Sequence, residues 1–420
     1  MKKILIAAVA ALAFLGCARE ERSVHAPWTY GSVVYEVNVR QYSPEHSFKG
    51  VEAQVPRLKD LGVDVLWLMP IYPIGVEERK GTLGSYYAVK DYCDVNPEFG
   101  TMQDFEDLLA ATHAAGMRLI LDWVPNHSAA DHPWLTEKPA DFYERDSLGN
   151  DLYTADWNDT RNLNYANRAV WEAQDQALRF WLEKGVDGFR CDVASRVPND
   201  YWEWVIGGIR RDYPEVYWLA ESENYDQADP ETTFDATYAW ELHHLLNGIA
   251  QGKKGVQDLK DYIARDAENT PPTAFRLSFT SNHDENSWSG TEFERMGDAA
   301  SVMAVLCFTL PKSQPLIYTG QEIGLDRRLQ FFESDPVTDW SANGYTAFFQ
   351  SLTALKHAHP ALAAGEKGGP VEYLDAPEGV FAFSRAVKGD RVTVYANLSD
   401  GPVSVAGYEL APWGYEIVTE

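Results

Sequence analysis

The chain has 420 residues, 45% of them hydrophobic, which excludes a wholly disordered protein. This length allows one large core of about 250–350 residues plus a smaller domain. Its 36 basic and 63 acidic residues give a net charge of −27, which excludes nucleic acid and anionic lipid as attractive partners. The acidic residues are scattered, which indicates a solvated acidic surface or, alternatively, adaptation to high salt.

The first residues are expected to form an export signal. Two lysines precede an apolar run, residues 4–15, that is too short to span a bilayer. The run ends in Phe-Leu-Gly-Cys, which resembles a bacterial lipobox and implies a signal segment at 1–17 with the lipid on Cys17. We therefore expect an exported, membrane-anchored bacterial lipoprotein, in the periplasm or at the cell surface, that contacts the membrane only through its lipid. Phe14 stands where Leu is more usual, which leaves secretion after ordinary signal cleavage as the alternative.

From about Gly31 onward, short apolar runs alternate with longer amphipathic runs, a pattern typical of a parallel sheet with helices outside it. The pattern predicts strands at 33–39, 63–70 and 117–124, and helices at 51–61 and 101–115 with Thr101 as N-cap. It then stops at residues 127–164, a polar stretch rich in Asp and Trp. Because this stretch is long for a connection, we interpret it as an inserted subdomain.

The alternation resumes after the insert. The predicted strands are 186–193, 216–220, 235–240, 275–280 and 315–318, and the predicted helices are 169–184, 201–211, 256–266, 299–309 and 346–357. These give about eight βα units, enough to close a TIM barrel whose two parts are residues 28–126 and 165–365. From about Gly369, short strands at 380–384, 391–397, 403–405 and 415–418 predict a small C-terminal β-sandwich, residues 366–420. The predicted fold is therefore α/β: a (β/α)8 TIM barrel with a short inserted subdomain after strand 3 and a small C-terminal β-sandwich.

The polar residues at the ends of the predicted strands are the candidates for chemistry, because barrel active sites lie at the carboxyl ends of strands. Four strands end in carboxylates, accompanied by an Arg, two Asn and two His: 122–127 (DWVPNH), 188–192 (GFRCD), 220–221 (AE) and 279–284 (FTSNHD). A single Asp at a strand end is usually a helix cap or a loop residue. Four carboxylates on one face of a barrel are better explained by catalysis.

These four segments resemble, in the same order, the short motifs of the α-amylase family of glycoside hydrolases. The resemblance extends from about Val33 to the C-terminus, and residues 315–324 and the insert 127–164 agree with it. Residues 84–92 resemble a loop of the family that carries a sugar-stacking tyrosine, here Tyr87. The resemblance implies a TIM barrel that cleaves α-glucosidic bonds with retention of configuration.

The resemblance also implies roles for the carboxylates. A retaining glycosidase needs a nucleophilic carboxylate and a protonated acid about 5–5.5 Å apart. Asp192 is implied to be the nucleophile, Glu221 the acid/base, and Asp284 a third carboxylate that binds substrate hydroxyls. Arg190 lies two residues before Asp192 on the same side of a strand, so we expect its guanidinium to keep Asp192 ionised. Negative charge and partial burial are expected to raise the pKa of Glu221.

Further motif positions are implied to bind substrate or support the site. His127, His283 and the arginine of the fourth strand are implied to lie at the sugar being cleaved, and Asp122 to support that arginine. Asn126 matches a position that often helps to bind calcium in the family. Where the family often continues with Lys-His, this chain has Ser195-Arg196, which weakens the calcium prediction and leaves leaving-group specificity open. No cofactor is required by the implied mechanism.

The expected function is hydrolysis of α-1,4-glucan or maltooligosaccharides by retaining double displacement. One alternative is a transglycosylase or isomerase that uses the same covalent intermediate. The other is a catalytically silent glycan-binding lipoprotein, which the complete set of three carboxylates disfavours. The short insert indicates an open cleft and fairly small substrates. The three remaining cysteines have no metal-like spacing and are expected to be mostly buried thiols.

Overall fold

A computed structural model describes residues 24–420, so the export signal and Cys17 lie outside the described residues. Eight parallel strands close into a barrel, because the eighth pairs with the first. Their bounds are Val34–Val37 (β1), Val65–Leu68 (β2), Arg118–Trp123 (β3), Gly188–Cys191 (β4), Tyr217–Ala220 (β5), Ala236–Tyr238 (β6), Phe275–Ser278 (β7) and Ser313–Tyr318 (β8). The predicted TIM barrel is confirmed, with every strand slightly shorter than its apolar run except the last.

Helices surround the barrel. Their bounds are Val39–Tyr42 (α1), Phe48–Glu52 (α2), Val55–Leu61 (α3), Met102–Ala114 (α4), Trp134–Glu137 (α5), Arg168–Glu183 (α6), Asn199–Asp212 (α7), Trp240–Ala250 (α8), Val256–Asn269 (α9), Glu292–Met296 (α10), Ala300–Thr309 (α11) and Gly344–Ala358 (α12). Thr101 caps α4 through a reciprocal hydrogen-bond pair with Asp104, as predicted from its position.

Two sequence predictions about helices were wrong. The predicted helix at 51–61 is two helices, because Pro56 has no N–H to continue a helix and instead lies in the first turn of α3. Helix α8 was not predicted, since its start was assigned to a strand. No helix separates β5 from β6, so residues 221–235 run between them with only one short 3-10 turn.

The insert after β3 leaves and re-enters the barrel at one place. His127–Ala129 and Thr160–Asn162 form a short antiparallel pair that brings its two ends together. Phe142 and Tyr143 are buried beneath it. The insert is therefore held against the mouth of the barrel, where β3 ends.

The C-terminal residues form two packed antiparallel sheets, as predicted. Their strands are Val371–Tyr373 (β9), Val380–Val387 (β10), Asp390–Asn397 (β11), Val403–Val405 (β12), Tyr408–Leu410 (β13) and Tyr415–Thr419 (β14). The β12–β13 hairpin packs on the larger sheet through Val405 and Leu410. The buried Arg385 of β10 donates to the carbonyl oxygens of Thr309 and Leu310, which attaches this unit to the barrel.

Two of the three described cysteines are buried, in line with the prediction of mostly buried thiols. Cys191 and Cys307 are buried thiols, whereas Cys93 is an exposed one. Within residues 24–420, none of the helices combines the length and hydropathy that crossing a bilayer requires.

Candidate active site

A cleft of about 550 Å³ opens at the carboxyl ends of the barrel strands. The three predicted carboxylates line it together with Tyr87, His127 and His283. The other predicted positions lie behind this surface: Asp122 and Arg190 are fully buried, and Asn126 is nearly so. The barrel therefore brings all of the motif residues to one end.

Strand register explains why two of the carboxylates meet. Cys191 of β4 lies opposite Ala220 of β5. Asp192 and Glu221 each come one residue later, so they leave neighbouring strands side by side. A retaining glycosidase needs these two carboxylates close together, and the structure places their side chains next to each other.

Arg190 joins the carboxylates from below. Its Nη1 donates to Asp192 Oδ1 at 3.0 Å and to Asp122 Oδ1 at 2.9 Å. Its Nη2 lies 2.9 Å from Glu221 Oε2, an ion-pair contact that is not aligned as a hydrogen bond. Because Nη1 and Nη2 are bonded to one carbon, Asp192 and Glu221 must face the same small volume.

Val193 holds Glu221 from the other side. Its backbone N–H donates to Glu221 Oε2 at 2.8 Å. Its φ of 37° and ψ of 44° lie in the left-handed region, which costs a β-branched residue about 1–3 kcal/mol. The strained turn directs a fixed N–H group at the carboxylate, and nothing in the sequence indicated it.

Burial changes the expected ionisation of the carboxylates. Loss of water raises the pKa of Asp192 well above its ordinary value, and the Arg190 guanidinium only partly opposes this. The loss of part of its surrounding water also raises the pKa of Asp284, against the opposing charge of His283. We expected the Arg190 guanidinium to determine whether Asp192 is ionised. Burial has the larger effect on the pKa of Asp192, because the packing that brings the guanidinium close also removes water. Such carboxyls titrate as a group, and the cleft retains a proton to higher pH than isolated carboxyls would.

The two predicted histidines carry different charges. Burial lowers the pKa of His127 to about 4, so this ring is neutral at pH 7. Burial alone would also lower the pKa of His283, but the carboxylates of Asp284 and Glu36 outweigh it and raise the value to about 9. The cleft thus offers a sugar one neutral imidazole and one imidazolium.

Glu36 is a site residue that the sequence analysis missed. It lies on β1, is fully buried, and accepts a hydrogen bond from Nδ1 of His283. Nε2 of that imidazolium lies 2.8 Å from the Tyr87 hydroxyl, which in turn donates to Asp122 Oδ2 at 3.1 Å. A buried network therefore runs from Glu36 to Arg190. The available signal was an acidic residue inside the apolar run 33–39.

We expect Glu36→Gln to shift the pH dependence of substrate binding. In the native protein the raised pKa keeps His283 cationic up to about pH 9. Without the Glu36 carboxylate, only Asp284 still opposes the effect of burial, so the pKa of His283 falls and the cation is lost at lower pH. KM should then rise about tenfold between pH 6 and pH 8 in the variant but stay nearly constant in the native protein. KM measured against pH, together with NMR titration of His283, checks this.

Glu322→Gln is the matched control for this prediction. Glu322 is another fully buried carboxylate at the barrel, but it bonds Tyr35 and Arg57 rather than a cleft residue. Its variant should leave the pH profile of KM unchanged. An unshifted profile in Glu36→Gln would contradict the assigned role of Glu36.

Asn126 orients His127. Its Nδ2 lies 3.0 Å from Nδ1 of His127, so the amide donates to that nitrogen and leaves the proton of the neutral ring on Nε2. Calcium takes six to eight oxygen ligands. Among residues 24–420, no group of three or more His, Cys, Asp or Glu side chains is arranged to hold a metal ion. Calcium at Asn126 stays a prediction, and no step below uses it.

Aromatic side chains form much of the remaining cleft surface: Trp157, Trp288, Phe331 and Phe332. The Trp157 ring lies 5.4 Å from that of His127, and the guanidinium carbon of Arg196 lies 5.9 Å from the Trp157 ring centre. Flat aromatic faces suit the C–H faces of sugar rings. Sequence reasoning did not identify these residues, because three lie in loops and Trp288 lies in a short π-helical turn, none of which has a periodic pattern.

Comparison with known proteins gives a consistent result. A family model described as alpha amylase, catalytic domain, matches residues 45–343. Alpha-amylase MalA of Haloarcula japonica is 29% identical over 399 residues, which cover 91% of this chain and 58% of that protein. Alpha-amylase 3 of Dictyoglomus thermophilum is 29% identical over 338 residues, which cover 71% of this chain and 65% of that protein. The chain thus spans about three fifths of the length of these curated relatives.

A solved structure is similar over nearly the whole length of both chains. The crystal structure of an alpha-amylase from Lactobacillus plantarum has a TM-score of 0.83 and 30% sequence identity. The match covers 94% of this chain and 99% of that one. The likeness therefore includes both the barrel and the C-terminal sheets.

Proposed function

The chain belongs to the α-amylase family of glycoside hydrolases, and from this premise we propose that it hydrolyses α-glucosidic bonds in α-1,4-glucans or maltooligosaccharides. The observation that carries the proposal is the contact of Asp192 and Glu221 with adjacent nitrogens of Arg190 at the floor of the cleft. One carboxylate can then attack an anomeric carbon while the other serves the glycosidic oxygen. Relatives named as α-amylases support the substrate class.

The proposed reaction has two displacements at the anomeric carbon. In the first, an oxygen of Asp192 forms a bond to this carbon as the glycosidic C–O bond breaks, and Glu221 gives its proton to the leaving oxygen. In the second, Glu221 takes a proton from water, whose oxygen attacks the same carbon and displaces the Asp192 carboxylate. The two inversions give net retention, and the acid/base returns to its protonated form.

The other cleft residues hold the sugar ring during these steps. The Nε2–H of His127 can donate to a ring hydroxyl. The imidazolium of His283, whose N–H groups bond Glu36 and Tyr87, places a positive charge beside the sugar. Asp284, whose side chain is 38% exposed, can accept from hydroxyls. Fixed donors and acceptors of this kind lower the barrier, because they need no reorganisation during the reaction.

The test is a substrate panel of starch, pullulan, maltooligosaccharides, sucrose and trehalose with chromatography of the products. NMR of the first product formed should give the α-anomer. A β-anomer as first product, or no cleavage of any α-glucoside, would contradict the proposal. Products longer than a maltoheptaose substrate would instead indicate the transglycosylase alternative.

We also propose that the protein is exported and anchored by lipid on Cys17, or secreted if cleavage follows an ordinary signal site. The support is the sequence of residues 1–17 alone. Mass spectrometry of the mature N-terminal peptide tests this. A diacylated Cys17 is expected, and an unmodified N-terminus elsewhere would contradict the anchor.

A further inference from the structure

A second cavity, of about 540 Å³, lies where the barrel meets the C-terminal unit. One wall is α9, the other is the segment 365–373 that leads into the C-terminal sheets, and Arg276 of β7 and Arg385 of β10 also line it. We call this cavity the junction crevice. It shares no lining residue with the active-site cleft, so it is a separate site.

Arg276 presents a free hydrogen-bond donor to the junction crevice. Phe275 and Leu277 pack inside the barrel, and because side chains alternate along a strand, Arg276 faces outward. This arginine is 5% exposed; its Nε donates to Asp266 Oδ1 at 2.6 Å and its Nη1 to Thr237 Oγ1 at 2.5 Å. Its Nη2 makes no hydrogen bond with any described residue, yet this atom keeps accessible surface. Nη2 is therefore suited to donate to an acceptor that enters the crevice.

Two cations of the crevice share one buried carboxylate. Nζ of Lys312 lies 3.2 Å from Asp266 Oδ2, while Arg276 holds the other oxygen of that carboxylate. The Glu223 carboxylate attracts the Arg276 guanidinium more weakly, and it does not line the crevice. Side chains therefore neutralise this pair of cations only in part.

A third cation of the crevice has no carboxylate partner among the described residues. Arg385 is 1% exposed, and all of its side-chain hydrogen bonds go to carbonyl oxygens, among them those of Ala363 and Gly369. Burial lowers its pKa to about 9, with no nearby negative charge to oppose this. The second carboxylate of the crevice is Glu366, which is exposed and accepts from the Tyr30 hydroxyl at 2.6 Å. Three cations thus face two carboxylates in a chain whose net charge is −27, so the crevice favours an anion.

The remaining wall of the crevice suits an organic body. Its apolar and aromatic residues include Leu242, Tyr262, Ile263, Val371 and Tyr373. Tyr373 is 41% exposed, which leaves its ring open to a ligand. The volume of the crevice also lies in the range of about 300–1,000 Å³ that is typical of sites for small organic molecules. A bare inorganic ion would fill only a small part of it.

We propose that the junction crevice binds a small organic anion, either a phosphate monoester or a carboxylate. The free Nη2 of Arg276 donates to an oxygen of the anion, Arg385 adds positive charge, and the body of the ligand packs against Tyr262 and Tyr373. Because the walls belong to the barrel and to the C-terminal unit, the bound ligand joins the two and stabilises the folded protein. This site does not depend on the proposed function, since no cleft residue takes part in it.

Calorimetric titration of the whole protein with glucose 6-phosphate and with gluconate tests the proposal, with glucose as the neutral control. Ionic strength is held constant with sodium chloride. For at least one anion we expect a dissociation constant below about 1 mM and, at saturation, a rise of about 2 °C or more in the midpoint of thermal unfolding. Binding of only one anion supports the proposal and identifies the charged group. Anions that bind no more tightly than glucose would overturn it.

Two variants test whether the anion binds in the crevice. Arg276→Gln removes the free donor, and Ala267→Trp places a large ring at an exposed position of the crevice wall, where the fold can accept it. Each should weaken anion binding about tenfold or more. Arg265→Gln is the matched control and should bind as the native protein does, because Arg265 bonds Glu241 and does not line the crevice.

Unchanged anion affinity in both crevice variants would also overturn the proposal. If Arg276→Gln fails to fold, the affinity of Ala267→Trp decides alone, since position 267 is exposed on the surface of α9. Activity on maltooligosaccharides is not the readout, so a failure of the proposed function leaves this test intact.

Discussion

Replacing Asp192 by asparagine is expected to lower kcat on maltooligosaccharides by about 10⁴-fold or more, with the barrel still folded. An amide oxygen is too weak a nucleophile to form the bond to the anomeric carbon, so the first displacement stops. Asn retains an oxygen that can accept from Arg190 Nη1, and Arg190 keeps its contacts with Asp122 and Glu221. Because burial disfavours a charge at position 192, the neutral side chain should not reduce stability. Initial rates at saturating substrate, with circular dichroism and thermal unfolding, measure both effects.

Asp187→Asn is the matched control for this variant. Asp187 precedes β4 at the opposite end of the barrel, where it bonds His113 and Arg118. Its variant should keep native kcat, since no cleft residue contacts it. Native-like turnover in Asp192→Asn would overturn the assignment of the nucleophile. Loss of folding in that variant would show instead that Asp192 is mainly structural.

The barrel and its carboxylates were predictable because both depend on short-range pattern. An apolar run of strand length indicates a buried parallel strand, and the residue that ends it must lie at the mouth of the barrel. Asp192 and Glu221 follow such a run directly, and Asp284 comes six residues after the end of β7. Once the barrel sets the register of β4 and β5, Asp192 and Glu221 must leave the two strands side by side.

The features that were missed depend on contacts between distant parts of the chain. Glu36 and His283 are 247 residues apart, and their pairing across the barrel leaves no periodic signal. The contact between the loop after β2 and the loop after β8 is similar, since Thr82 and Glu333 are 251 residues apart. The left-handed conformation of Val193 is opposed by local propensity and is imposed by the surrounding fold. Sequence therefore predicts which residues reach the mouth of the barrel but not how the loops enclose them.

Glu221→Gln is expected to produce a loss that depends on the leaving group. For maltooligosaccharides, whose leaving oxygen needs a proton, kcat should fall about 10²–10⁴-fold. For 4-nitrophenyl or fluoride glucosides the first displacement needs no acid, so the covalent intermediate should accumulate. Gln retains an oxygen that can accept from the Val193 N–H, which keeps the side chain in position. Rates on the two substrate types, with a pre-steady-state burst for the activated one, measure this effect.

Azide should then restore turnover of the activated substrate in Glu221→Gln. This anion attacks the anomeric carbon of the intermediate and displaces the Asp192 carboxylate without giving up a proton, so no general base is needed. A glycosyl azide is the expected product, and native protein should form none. Glu223→Gln is the control, because Glu223 lies two residues further on, outside the cleft lining, and accepts from the Glu241 N–H. If azide yields no such product and the two substrate types lose activity equally, the acid/base cannot be Glu221, and its contact with Arg190 would serve only to hold the guanidinium.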